Sequence, residues 1–178
     1  MPLAPLLRAG IGALAFGCTC AQAQTTKITT EYLMTLYAPL EQAQEIDSSL
    51  FVYNVRKGGW VKGPKISGIL LSPGADWFHV LPDGTGRLDV RGTIKTDDGA
   101  LIYISYNGIV SQPKESAERE EKGEVLTSKD EYFLTAPTLQ TASQKYAWLT
   151  HVQCVGKMVA MKSGGNDSFV KYDIFIVR

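Results

Sequence analysis

The chain is poor in the residues on which metal and cofactor chemistry depends. Its 178 residues include only two histidines, His79 and His151, each on an apolar stretch and far apart. No CxxC, HxxxH or HxH spacing accompanies them, so no metal is expected. A GxGxxG loop, a Walker loop and a GxSxG elbow are missing as well. Nucleotide cofactors and a hydrolase triad therefore have no support, and no cofactor is expected. Charge of one sign is also absent, since 18 Lys and Arg face 18 Asp and Glu. That balance argues against nucleic acid or an anionic membrane surface as a partner.

Long apolar runs are scarce too, apart from one at the beginning. Residues 1–23 carry Arg8, an apolar run from Ala9 to Cys20 and the small-x-small sequence Ala21-Gln22-Ala23, which reads as a secretory signal cut before Gln24. The run is too short for a permanent membrane span. Two other readings are a buried N-terminal helix and a lipoprotein acylated at Cys18. Export predicts a periplasmic or secreted domain over 24–178 that keeps Cys154 alone of three cysteines. One thiol closes no internal disulfide, so the core must supply the stability. Cys154 sits in an apolar run and reads as a small buried side chain.

The stretch from Gly58 to Gly108 alternates β-branched and aromatic runs with Gly, Pro and Asp-Gly punctuation, the pattern of short antiparallel strands joined by tight turns. Strands are expected at 31–37, 50–56, 60–63, 65–71, 76–81, 87–95, 101–110 and 132–136, with long ones at 146–161 and 168–177. Glycines at 58, 59, 63 and 68 suit a strongly coiled sheet. Asp98-Gly99 marks a hairpin. Residues 111–130 are rich in charge and read as a solvated connector or lid, with a short helix over 114–122 as the alternative. About nine to ten strands with one or two short helices predict an all-β domain, either a closed antiparallel barrel or a two-sheet sandwich.

Alternation along a strand sends neighbours to opposite faces. Arg87, Asp89, Arg91 and Thr93 share one face of their strand, and Leu88 and Val90 the other. On the next strand Tyr103, Ser105 and Asn107 oppose Ile102, Ile104 and Tyr106. In one arrangement the ionic face meets water and the aliphatic face lines the core. In the other, the aliphatic side packs against a partner and Asp89, Arg91, Tyr103 and Ser105 point into a polar cavity. There Arg91 would hold a carboxylate or phenolate while Asp89 or Tyr103 moved a proton. Asp76-Trp77, after a Gly-rich bend, reads either as a ligand contact at a barrel mouth or as a strand cap with Trp77 in the core. Asp97 and Asp98 read as turn residues.

The chain resembles the domain of unknown function 3237 family, also called uncharacterised protein family 0311. The resemblance rests on Gly63-Pro64-x-x-x-Gly68, Pro73-Gly74-Ala75-Asp76-Trp77, Leu88-Asp89-Val90-Arg91 and Thr96-Asp97-Asp98-Gly99-Ala100-Leu101-Ile102-Tyr103. It continues through Tyr132-Phe133 and Lys145-Tyr146-Ala147-Trp148-Leu149. It implies a lipocalin-like or calycin-like antiparallel barrel, commonly a homo-oligomer, with a role in cofactor-free cyclisation or addition chemistry. Residues 138–141 depart from the family's usual basic and aromatic pattern, and the export leader departs from a cytoplasmic biosynthetic role.

Three functions are therefore weighed. The first is a cofactor-independent lyase, isomerase or cyclase acting on a small aromatic or polyketide-like compound through Asp89, Arg91 and Tyr103, with Asp76, Trp77, Ser105, Tyr132 and Trp148 as ligand contacts. The second is a non-catalytic barrel that binds a small apolar ligand. The third is a structural oligomer subunit.

Overall fold

The computed structural model describes residues 26–178. The expected signal peptide, its cut before Gln24 and Cys18 lie outside the described residues. The strands are β1 Thr30–Pro39, β2 Gln44–Asp47, β3 Leu50–Asn54, β4 Gly59–Lys62, β5 Ser67–Val80, β6 Gly86–Thr96 and β7 Leu101–Ser111. Helix α1, Lys114–Glu121, follows, then β8 Leu126–Thr127 and β9 Tyr132–Gln140. A 3-10 helix at Gln144–His151 precedes β10 Cys154–Lys162 and β11 Phe169–Val177. Among the described residues no helix is long and apolar enough to cross a membrane.

Eight strands close into an antiparallel barrel in the order β5-β4-β1-β11-β10-β9-β7-β6 and back to β5. Strand β5 makes the closure and takes two neighbours on one edge. Its first residues pair with β4, Gly59 opposite Leu70, while Ala75–His79 pair with β3. Between them lies Pro73, which has no N–H for a ladder, and the β5–β6 register shifts there between Leu71 and Ala75. The β2–β3 hairpin thus lies outside the barrel, and the short β8 lies on β10.

The inward faces are mainly aliphatic. Leu88, Val90 and Ile94 of β6, Ile102 and Ile104 of β7, and Ile174 and Ile176 of β11 are all buried in one core cluster. The expected Asp98-Gly99 hairpin is present, with Gly99 at φ 88°.

Two expectations are corrected. Tyr146–Met161 does not form one strand, because Tyr146 and Leu149 are buried three residues apart on the 3-10 helix and plug one end of the barrel. Asp98 in the β6–β7 turn accepts from the Tyr146 hydroxyl and from Lys145, tying plug to turn. Residues 114–121 are helical, and Glu118 lies one turn on from Lys114 at 3.7 Å.

Close approach of strands explains Gly63 and Gly68. A Cβ at Gly68 would lie 2.2 Å from the Lys95 carbonyl oxygen, whereas one at Gly92 would meet only side chains at 3.5 Å and beyond. Gly68→Ala is expected to lower stability by about 1–3 kcal/mol, and Gly92→Ala by less than about 1 kcal/mol. Urea midpoints check this, and equal midpoints for the two variants would contradict the account of the barrel corner.

Candidate functional site

At the end opposite the plug, the barrel holds a cavity of about 310 Å³. The β5–β6 turn, the two ends of α1 and the β10–β11 turn form its mouth, through Gly84, Gln112 just before the helix, Glu120 in its last turn, and Ser163. Its wall is mainly apolar, with Phe78, Leu88, Val90, Phe133 and Val170. Set into that wall are two carboxyls, Asp76 and Glu131, and three phenols, Tyr53, Tyr106 and Tyr172.

Strand register explains why these groups converge. Asp76 lies opposite Val90, and Val90 opposite Tyr106. Cross-strand partners share a face, so Asp76 and Tyr106 belong to one inward row. On β9 the buried residues are Phe133, Thr135, Pro137 and Leu139. Glu131 continues that alternation by one step and so turns its carboxyl inside.

Burial governs the electrostatics. The Asp76 carboxyl is pushed up to about 7, first by burial; the Asp89 backbone N–H, which donates to Oδ1 at 3.0 Å, opposes this, and the Asp89 charge adds to it. Burial likewise pushes Glu131 up to about 7, with the charges of Glu120 and Asp130 adding. Glu131 is 7% exposed, and neither of its carboxyl oxygens has a hydrogen-bond partner. Tyr106 and Tyr172 stand edge to face with ring centroids 5.9 Å apart, and burial raises both phenols. At the rim, Gln112 donates to Glu120 at 2.7 Å, and the Ser163 hydroxyl donates to its other oxygen.

The outer surface carries the ionic residues. The expectation that Asp89, Arg91, Tyr103 and Ser105 face an enclosed cavity is corrected. They come together, but in a shallow groove of about 200 Å³ on the far side of the sheet. Arg91 and Asp89 pair at 3.0 Å with their side chains half in water, and Tyr103 is 40% exposed. Alternation along the same strands turns their aliphatic faces inward, which puts the Asp89 and Arg91 side chains outside. Trp77 lies outside under the Arg91 guanidinium, 5.6 Å from its ring centroid. Ser105 meets the Thr138 hydroxyl at 3.1 Å, and Tyr132 is 55% exposed. Trp148 sits on the plug helix at the closed end, beneath Lys65. Of the five expected ligand contacts, Asp76 alone lines the cavity. Cys154 is buried, and burial pushes its thiol up to about 11.

The family model described as "Protein of unknown function (DUF3237)" matches residues 28–177. The chain belongs to this family. A UPF0311 protein of Clostridium acetobutylicum is 43% identical over 91 residues, 51% of this chain and 58% of its own length, so the match spans less than two thirds of that relative. Among solved structures, a conserved protein of unknown function from Rhodopseudomonas palustris superposes with a TM-score of 0.76 at 30% identity, covering 86% of this chain and 100% of that one. A beta-barrel like protein from Acinetobacter baumannii gives 0.71 at 27%, covering 88% and 100%. More distantly, a protein described as an enzyme from Penicillium herquei gives 0.57 at 19%, covering 88% and 99%, a likeness of fold alone. The same barrel is thus seen in the solved proteins from Rhodopseudomonas palustris and Acinetobacter baumannii.

The interior carboxyls give the barrel a pH dependence of definite sign. Folded, Asp76 and Glu131 hold their protons up to about 7; unfolded, they release them near their ordinary 3.8 and 4.5. Between those limits the folded state binds more protons, so stability falls as pH rises and is level above. The wild-type melting temperature is expected to drop between about pH 5 and 7.5, and the Asp76→Asn Glu131→Gln variant to be nearly flat there. Calorimetry across that range decides, and an equally steep variant would refute the placement of these groups.

Proposed function

We propose that the chain is an exported small-molecule-binding barrel whose cavity carries out cofactor-independent acid/base chemistry, as a lyase, isomerase or cyclase on small aromatic or polyketide-like compounds. The observation that carries this is a carboxyl raised to about 7 inside an apolar cavity, in one row with a buried phenol. A general base works best when its pKa lies near the working pH. Asp76 as carboxylate takes a proton from carbon next to a carbonyl. The Tyr106 and Tyr172 hydroxyls, still protonated, donate hydrogen bonds to the oxygen on which charge develops. Asp89, Arg91 and Tyr103 take no step in it, because they lie across the sheet from the cavity.

The test follows deuterium uptake from D2O into a panel of aryl ketones. Wild-type protein is expected to accelerate exchange, and Asp76→Asn to lose roughly 10²-fold or more of the rate while ketone affinity is kept; Asp89→Asn should behave as wild type. Retained exchange in Asp76→Asn refutes the base. Ketone binding without exchange in the wild type leaves the non-catalytic binding barrel as the function.

Homo-oligomer assembly is proposed on a separate observation. Ile69, Trp77, Leu101 and Tyr103 are exposed by 38–56% on the outer face of β5 and β7, where β6 lies between the two strands. Light scattering should show a multimer that Ile69→Lys Leu101→Lys dissociates; a wild-type monomer would end this proposal.

A further inference from the structure

The cavity holds a negative imbalance that its small size makes consequential. Asp76, Glu120 and Glu131 line it, and among the described residues no Lys, Arg or His does. Glu120 is engaged by Gln112 and Ser163. Glu131 is not engaged at all: it is 7% exposed, aimed into the cavity, and both its oxygens lack a donor. A buried polar group without a partner is costly, which marks Glu131 as a group awaiting a partner from elsewhere, either a hydrogen-bond donor or a positive charge.

The rest of the lining narrows what that partner is. Tyr53, Phe78, Tyr106, Phe133 and Tyr172 present five aromatic rings to the same space. Phe133 and Tyr172 pack edge to face at 5.4 Å, as Tyr53 and Phe78 do at 6.1 Å. Aromatic faces attract cations, most strongly when desolvated. An anionic ligand would meet three acidic groups with no counter-charge. A metal ion would need a clustered ligand set, and among the described residues no group of three or more His, Cys, Asp and Glu stands close enough to supply one.

We propose that the ligand of this cavity is an organic cation, an aromatic compound bearing a protonated amine or quaternary ammonium group, with the cationic end held at Glu131 and the ring among the aromatic side chains. The proposal rests on the reading of the cavity as a small-molecule site and adds the charge of the molecule. Binding of a cation favours an ionised carboxyl, so Glu131 should release its proton as the site fills. The titratable groups facing that position are Asp76 from β5, Tyr53 from β3, Tyr106 from β7, Tyr172 from β11, Glu120 from α1, and Glu131 itself. The phenols stay neutral across the relevant range because burial raises them. The carboxyls alone then set the pH dependence.

Three probes of nearly one shape separate the outcomes by calorimetry on the full barrel: phenethyltrimethylammonium, its uncharged carbon isostere (3,3-dimethylbutyl)benzene, and 3-phenylpropanoate. At pH 8 the cation should bind at least about tenfold more tightly than the isostere, and the anion should not bind. The preference should shrink toward pH 5.5, and should fall about tenfold in Glu131→Gln with isostere affinity unchanged. If the isostere binds as tightly as the cation, the cation proposal is overturned while the small-molecule site stands. If none of the three binds, both fall. A preference that persists in Asp76→Asn Glu131→Gln also overturns the proposal, because the charge would then be read elsewhere. Near-ultraviolet circular dichroism confirms that each variant is folded, and the wild-type preference decides even where a variant is not.

Discussion

Closure of the sheet through β5 is the constraint from which the other assignments follow. Once β6 pairs with β5 on one side and β4 with β5 on the other, every barrel strand has one face enclosed and one face wet. Magnitudes then choose which face goes in. Inside, Asp89 and Arg91 would each lose hydration worth several kcal/mol, whereas outside their pair contributes at most about 1 kcal/mol and costs nothing to solvate. Leu88, Val90, Ile102 and Ile104 gain on the order of 1.5–3 kcal/mol each by burial. The aliphatic row wins by a wide margin, and the ionic row becomes a surface feature.

The same constraint makes the interior acids informative. Asp76 and Glu131 lie on the dry side against the general trend, and they tolerate it by holding protons that exposed carboxyls would release. Apolar residues of similar size would suit the barrel's stability better. Their place among aromatic rings, at the end left unplugged, is what a site would retain and what packing alone does not require.

Much of the architecture was legible in the residues because strand alternation and turn chemistry are local signals. The β6–β7 hairpin at Asp98-Gly99, the coiled glycines and the buried Cys154 all follow from neighbours a few positions away. The 3-10 helix at Gln144–His151 was not legible, since its apolar content matches a strand and only closure of the barrel end selects Tyr146 and Leu149 for burial. The site was legible in part. Asp76 stood out beside its Gly-rich bend, but alternation fixes only which residues share a face, never which face is enclosed. Tyr106 was already placed with Ile102 and Ile104; choosing the aliphatic face as the interior would have brought it to the cavity. Glu131, at the border of a charged segment, gave no signal beyond continuing the β9 alternation. Tyr53 and Tyr172 lie on strands rich in apolar residues, and nothing in their neighbours separates them from other strand aromatics.

The two barrel ends differ in how they are shut, and that difference bears on where the proposed ligand would enter. At the closed end Leu149 is fully buried and Tyr146 nearly so, an apolar seal whose opening would expose greasy surface. At the other end α1 buries only Ser116, whose hydroxyl donates to the Asp130 carbonyl at 2.6 Å. Its main tethers are polar: Arg119 donates to Asp130 at 2.6 Å and to Glu124 at 2.9 Å, with the guanidinium more than a third exposed. Contacts of that kind are weakened by salt and exchange readily with water. Helix α1 is therefore the cheaper side to part, and its Glu120 lines the same cavity as Glu131 and Asp76, so under the proposed function a ligand would enter there past Glu120.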